Sequence, residues 1–352
     1  MRINWLGAAL AAAVAVLPEP SLAGASRAEQ ILERFEHANL WRDHVLVAAH
    51  RGGGLQAAKT LYPENSLAAL DAAVKAGAEI VEVDVRRSSD GEYVVMHDTG
   101  LERTTTCTGE AASRTVAELK ACHLVVEGTG VATAETVPTL REFLAATRGR
   151  ILVNLDNKLG IGDLPGMIVI ARDMGMARQV IVKENIWNDR RIAEVGIAMR
   201  QAGGGFQFMP IIADDAVRDA GFVEKVSRVF APHAMEMINW RDGAAMLTQT
   251  GGPLFSARMR AAAVRGSWHV WANTYAIVNK PGGFLAGGRG DELAVLASMP
   301  AESWGFWVDR GATIIQTDEP RAAVDWLAAN GWRVPYDDGR RPAEPASTAS
   351  IN

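Results

Sequence analysis

The chain has 352 residues, a formal net charge of −5 and 22% charged residues. It is long enough for one large domain with a substantial core. Mild acidity without a basic cluster excludes nucleic acid as an expected partner, and an anionic ligand would need a local positive site.

The first 23 residues read as a secretory signal: Arg2, an apolar run from Trp5 to Leu17, then Ser21, Leu22 and Ala23 before a cleavage site near Ala23. The run falls short of the roughly 20 residues that cross a bilayer, so no stable membrane anchor is expected. Removing residues 1–23 takes away Arg2 and Glu19 together, and the charge is unchanged. The expected organisation is a signal over 1–23, one large domain over 24–335 and a disordered polar tail over 336–352. Export would make the protein periplasmic or secreted. It would also let Cys107 and Cys122 form a disulfide, with two buried thiols as the alternative.

Next, "SRAEQILERFEHANLW" has helical spacing. Eight β-branched runs follow: Val45 to His50, Glu79 to Arg86, Ile151 to Lys158, Val180 to Glu184, Phe206 to Ile212, Ala234 to Ile238, Trp268 to Thr274 and Thr313 to Asp318. Helix-like stretches such as "NSLAALDAAVKAG" separate them, which predicts a TIM-type (β/α)8 barrel, with a doubly wound open sheet as second choice. Tyr93 to His97 lies too close behind the second strand for a parallel crossover. It is expected to fold back as a hairpin, followed by a small insertion around 99–136. "NKPGGFLAGGRGDE" lacks a phosphate-loop lysine and reads as a mobile loop.

Side chains alternate along a strand, so Glu82 and Asp84 share the face opposite Val81, Val83 and Val85. The same rule groups Asn154, Asp156 and Lys158. His50 and Arg51 end the first strand, and His97 ends the hairpin piece. At the C-terminal ends of barrel strands these groups converge into a site. Three carboxylates suit a hard divalent cation, Mg or Ca, better than zinc. Arg51 and Lys158 suit a phosphate, and two histidines suit proton transfer. The three glycines after Arg51 would let the backbone approach a ligand. His37, His44, His123, His233 and His269 read as ordinary.

These residues resemble the glycerophosphodiester phosphodiesterase family, through "HRG" (50–52), "PENS" (63–66), "EVD" (82–84), "DGEYVVMHD" (90–98), "LERTT" (101–105), "VPTLREFL" (137–144), "NLDNK" (154–158), "VWANT" (270–274) and "TDEP" (317–320). The resemblance, to an exported bacterial member, implies a distorted TIM barrel that hydrolyses glycerophosphodiesters to glycerol 3-phosphate and an alcohol through a cyclic phosphate. It implies His50 and His97 as the acid/base pair, and Arg51 and Lys158 as phosphate contacts. Glu82, Asp84 and Asp156 become metal ligands, Glu64 lies beside the metal or on it, and Trp271 packs against the substrate. The chain departs from the family pattern at Asp156, where a glutamate is usual, and in the ten residues Gly53 to Tyr62 between "HRG" and "PEN". The rival readings are a phospholipase D or sphingomyelinase D type enzyme, a lysolipid phosphodiesterase, and a non-catalytic phosphate-binding barrel. The oligomeric state is left open.

Overall fold

The computed structural model describes residues 24–242, 247–276 and 283–336, without the side chains of 241–242 and 283–285. The expected signal and all of the expected tail beyond Tyr336 lie outside the described residues. Eight parallel strands form the barrel: β1 Leu46–Ala49, β2 Ile80–Arg87, β3 Leu152–Asn157, β4 Val180–Asn185, β5 Gln207–Ala213, β6 Ala234–Ile238, β7 His269–Asn273 and β8 Ala312–Thr317. Each pairs with its sequence neighbours, and β1 pairs with both β8 (Leu46 opposite Ile314) and β2 (Ala48 opposite Ile80), which closes the ring. All eight expected strands are present, and closure excludes the open sheet.

The alternation that marked the strands also sorts the core. Val47, Val81, Val83, Val153, Leu155 and Val182 point outward and join a large apolar cluster under the surrounding helices. Leu46, Ile80, Leu152, Ile181, Met209, Trp271 and Ile314 point inward. They fill the lower barrel together with Ile31, Leu32 and Phe35 of helix α1, Arg27–Glu36. Ser26 and Glu29 form a capping box at its start, a device worth about 0.5–2 kcal/mol. Thus α1 plugs the end of the barrel opposite the strands' C-termini.

That closed end holds a buried ion network. Glu79 accepts hydrogen bonds from Val47 N (2.9 Å), Arg333 Nη2 (2.5 Å) and Tyr336 Oη (3.2 Å), and lies 3.2 Å from His44 Nε2. Arg34 stacks under the Tyr336 ring at 3.7 Å. Tyr336, at the head of the tail expected to be disordered, is therefore packed in place. Despite burial, which would raise it, Arg333 and His44 hold the Glu79 carboxyl far below its ordinary value. No helix among the described residues is long and apolar enough to cross a membrane.

Tyr93–Val95 pairs antiparallel with β2, as expected. The following insertion has its own small core, built from Val94, Met96, Leu101, Leu119, Leu124 and Val137, and an antiparallel pair, His123–Val126 with Val131–Thr136. Cys107 and Cys122 are disulfide-bonded within it. The glycine-rich segment read as a mobile loop is instead anchored where it is described. Ala286, Gly287, Arg289 and Asp291 are buried, and Arg289 Nη1 reaches Glu302 at 2.8 Å.

Candidate active site

Parallel register brings the acids together. Asp84 on β2 lies opposite Asp156 on β3, and Glu82 lies opposite Asn154. One carboxylate oxygen from each of Glu82, Asp84 and Asp156 falls within 4.8 Å of the other two. Glu82 and Asp84 are 1% exposed, so this much like charge requires compensation. Lys158 Nζ is 2.8 Å from Asp156 and 3.1 Å from Asp84, and Arg51 Nε is 3.5 Å from Asp84. From β4, Lys183 Nζ lies 3.4 Å from Glu82 and 3.9 Å from Asp156.

Burial raises the Glu82 carboxyl above its ordinary value, although Lys183 opposes the rise. Asp84 goes the other way: against burial, Lys158 and Arg51 hold it far down. Against the same penalty, Lys183 and Lys158 lower Asp156. Asp84 and Asp156 therefore stay ionised as oxygen ligands. Both histidines near the cluster give Nδ1 to other carboxylates, so the converging donor set is oxygen alone and fits a hard divalent cation.

His50 Nδ1 donates to Asp318 Oδ1 at 2.8 Å, and Ala276 N donates to Asp318 Oδ2 at 2.8 Å. The Tyr275 ring stacks on the imidazole with centroids 3.7 Å apart. Asp318 is itself placed by Asp291, which accepts from Asp318 N, Thr317 Oγ1 and Thr274 Oγ1 at 2.8 Å each and from Trp304 Nε1 at 3.0 Å. Burial, with Asp318 nearby, pushes the Asp291 carboxyl up to about 8. His97 Nδ1 donates to Asp98 at 2.6 Å, and Arg103 Nε binds the same acid at 2.6 Å. Although burial opposes it, hydrogen bonds from Arg103 and His97 hold the Asp98 carboxyl down at about 2. Burial, aided by Arg51 and Lys158, lowers His97 and keeps its ring neutral near pH 7.

One expectation is corrected. Trp271 is fully buried, with its indole N–H on Asn273 Oδ1 and Gln316 Oε1, both at 2.9 Å. It packs in the inner apolar layer, because its place on β7 is below the mouth; the aromatic ring beside His50 is Tyr275. Glu64 is outside the converging carboxylates. Arg51 (2.9 Å) and Arg103 (2.6 and 3.0 Å) occupy it, so it positions guanidinium groups. The glycines after Arg51 are also required by packing. A Cβ on Gly52 would come within 2.8 Å of the Ala69 Cβ, and one on Gly53 within 2.6 Å of Pro320.

The long segment Gly53 to Tyr62 folds as a small hairpin, Leu55–Gln56 against Lys59–Thr60, turning at Ala57 and Ala58 with φ of 51° and 59°. Glu319 pins it by accepting the backbone N–H groups of both alanines. Sequence reasoning missed Arg103, Lys183, Glu236, Tyr275, Asp318 and Glu319. The alternation in "VIVKEN" and "AMEMI" was a usable signal: Lys183 shares the inward face of Ile181, and Glu236 that of Ala234. Arg103, Asp318 and Glu319 lie in the quoted "LERTT" and "TDEP" but were given no role there, and the partners of Asp318 and Glu319 are distant in sequence.

The fold and the site define a (β/α)8 barrel that gathers carboxylates, cations and two oriented histidines at the C-terminal mouth of its strands. Residues 50–201 match the model of the Glycerophosphoryl diester phosphodiesterase family, and residues 208–327 match that of a domain of unknown function. The first stretch contains His50, Arg51, Glu64, Glu82, Asp84, His97, Asp156 and Lys158. A glycerophosphodiester phosphodiesterase of Bacillus altitudinis is 37% identical over 126 residues, 34% of this chain and 48% of that protein. Glycerophosphodiester phosphodiesterase 1 of Homo sapiens is 39% identical over 106 residues, 30% of each chain. The chain thus spans about half the length, or less, of the curated relatives it matches.

Two solved structures are similar over most of their length. A glycerophosphoryl diester phosphodiesterase from Parabacteroides distasonis has a TM-score of 0.60 at 18% identity, covering 87% of this chain and 93% of that one. An Oleispira antarctica phosphodiesterase, solved in complex with the product sn-glycerol-3-phosphate, has a TM-score of 0.53 at 19% identity, covering 80% and 96%. At these identities the likeness establishes the barrel.

Proposed function

We propose that the protein is a metal-dependent glycerophosphodiester phosphodiesterase that releases glycerol 3-phosphate and an alcohol. The carrying observation is the meeting of Glu82, Asp84 and Asp156 within 4.8 Å at a mouth where His50 and His97 are each oriented by a carboxylate. In this reading the three acids hold a divalent cation, Mg or Ca, which supplies Lewis-acid polarisation of the phosphoryl oxygens when bound. Arg51 and Lys158 contact the phosphate and balance its charge. His97, kept neutral by burial, takes the proton from the substrate's glycerol hydroxyl as that oxygen attacks phosphorus. His50, held by Asp318, gives a proton to the departing alcohol oxygen. Water then opens the cyclic phosphate with the proton roles reversed. A binding protein has no use for two oriented proton carriers, which disfavours the non-catalytic reading.

One observation favours a lysolipid phosphodiesterase as the second reading. Leu61 (45% exposed), Tyr62 (38%), Leu159 (37%) and Trp187 (48%) stand on the loops after β1, β3 and β4, along one side of the mouth. An apolar rim there suits an acyl chain. The Cys107–Cys122 disulfide supports the export reading, a periplasmic or secreted protein with its leader cleaved near Ala23. N-terminal sequencing of the mature protein tests it.

The deciding experiment incubates purified protein with glycerophosphocholine, glycerophosphoethanolamine or a lysophospholipid, with and without EDTA, and identifies the products. Glycerol 3-phosphate from the first two, lost with EDTA and restored by the ion, is the expected result. No turnover of any of the three overturns the proposal.

A further inference from the structure

One buried side chain has no part in the reading above. Asn154 stands inside the barrel, opposite Glu82 in register and two residues before Asp156 on the same face of β3. It is 0% exposed, and neither its Oδ1 nor its Nδ2 has a hydrogen-bond partner. Leaving both ends of a carboxamide unpaired costs on the order of 1–3 kcal/mol per group, a cost that leucine in the same place would avoid. The surroundings are charged: Glu82 is next to it in the ring, and Lys183 lies 3.4 Å from both Glu82 and Glu236. Buried polar groups in polar surroundings are normally completed by water.

The height of Asn154 in the barrel says which water. Two residues along a strand is a rise of about 6.5 Å, so Asn154 roots about that far below Asp156 and level with Glu82. Glu82 reaches the acid cluster because glutamate carries one methylene more than asparagine. From the same level in the ring, the Asn154 side chain is one methylene shorter than that of Glu82, which suits an outer place better than direct ligation.

We propose that Asn154 belongs to the cation site as an outer partner, with Oδ1 accepting from a water of the ion's hydration shell on its inner side, and that it thereby favours Mg²⁺ over Ca²⁺. The inference rests on the cation site of the phosphodiesterase reading. Mg²⁺ keeps several waters in a near-octahedral shell, so a fixed acceptor for one of them stabilises it selectively. Ca²⁺ prefers to collect more protein oxygens directly, and among the described residues three carboxylates converge here. Groups that orient a ligand without touching the metal typically change affinity about 10- to 100-fold.

The test is binding, not turnover. EDTA-stripped protein is titrated with MgCl2 and with CaCl2 by calorimetry, as wild type, Asn154→Leu and Asn154→Ser. Expected are tighter Mg²⁺ than Ca²⁺ binding by wild type, and Mg²⁺ affinity reduced about 10- to 100-fold in Asn154→Leu with a smaller loss for Ca²⁺. Ion-free melting of Asn154→Leu should be no lower than wild type, because the deleted groups were unpaired. Should the leucine variant not fold, Asn154→Ser, which shortens the acceptor, carries the same expectation. Unchanged Mg²⁺ affinity in the variants, or wild-type preference for Ca²⁺, overturns the role of Asn154 alone. Wild type that binds neither ion overturns the cation site as well.

Discussion

Replacing Asp318 with asparagine isolates the orientation of His50. Both carboxylate oxygens now accept, Oδ1 from His50 Nδ1 and Oδ2 from Ala276 N, each at 2.8 Å. An amide has one oxygen for two donors. If that oxygen stays on His50, the amide NH2 meets the fixed Ala276 N–H, leaving buried donors unpaired at about 1–3 kcal/mol. If it turns to Ala276, the NH2 faces Nδ1, which must then accept, and the imidazole proton moves to Nε2. The second arrangement pairs both the Ala276 N–H and His50 Nδ1, so it should win. With Nδ1 accepting from the amide, His50 can no longer become the imidazolium that gives up a proton to the leaving alcohol. General acid–base catalysis is worth about 10²–10⁴-fold, or about 3–5 kcal/mol, and Asp318→Asn should lower kcat by that factor with KM and melting temperature little changed. The assay is steady-state hydrolysis of glycerophosphocholine, paired with ¹⁵N NMR of the His50 ring. A rate within about threefold of wild type, with the ring proton still on Nδ1, would refute the reasoning.

Three other outcomes are expected. Replacing Cys107 and Cys122 together by serine frees a loop spanning a separation of 15 residues and should cost about 3 kcal/mol in urea unfolding; a loss under about 1 kcal/mol counts against it. Glu79→Leu strands the buried Arg333 guanidinium and should cost about 3–5 kcal/mol, recovered largely in the double variant with Arg333→Met. Because Glu79 is depressed in the folded state, its contribution is complete above the unfolded carboxyl value of 4.5 and is lost as pH falls below it. Wild type should therefore lose its advantage over the variant in acid. His97 is lowered by burial, so the acid limb of kcat/KM should fall below pH 6.5, and His97→Ala should remove that limb along with most of the rate.

Some of this was fixed by strictly local regularities. The inward placement of Glu82, Asp84 and Asp156 follows from a period of two along strands whose other face is valine and leucine. Eight such runs spaced by helical stretches leave few alternatives to a closed barrel. His50 and His97 could be placed at the mouth because each follows a strand end. The expectation for Trp271 went wrong for the same reason it was attractive. An aromatic near a strand's end reads as a mouth residue, and the inward layer it occupies depends on the stagger of β6, β7 and β8, which no local pattern records.

What the sequence determined alone is therefore the ring of strands, the sign and number of charges turned into it, and the residues able to move protons. The tertiary structure alone decided their partners. Asp318 reaches His50 across 268 positions, Lys183 reaches Glu82 across 101, and Glu319 holds a hairpin 261 residues earlier. These pairings arise when ring closure sets β8 beside β1 and brings β4 within reach of β2 across the interior. A one-dimensional pattern carries each side chain's direction from its own strand, but its neighbour comes from the geometry of the closed cylinder.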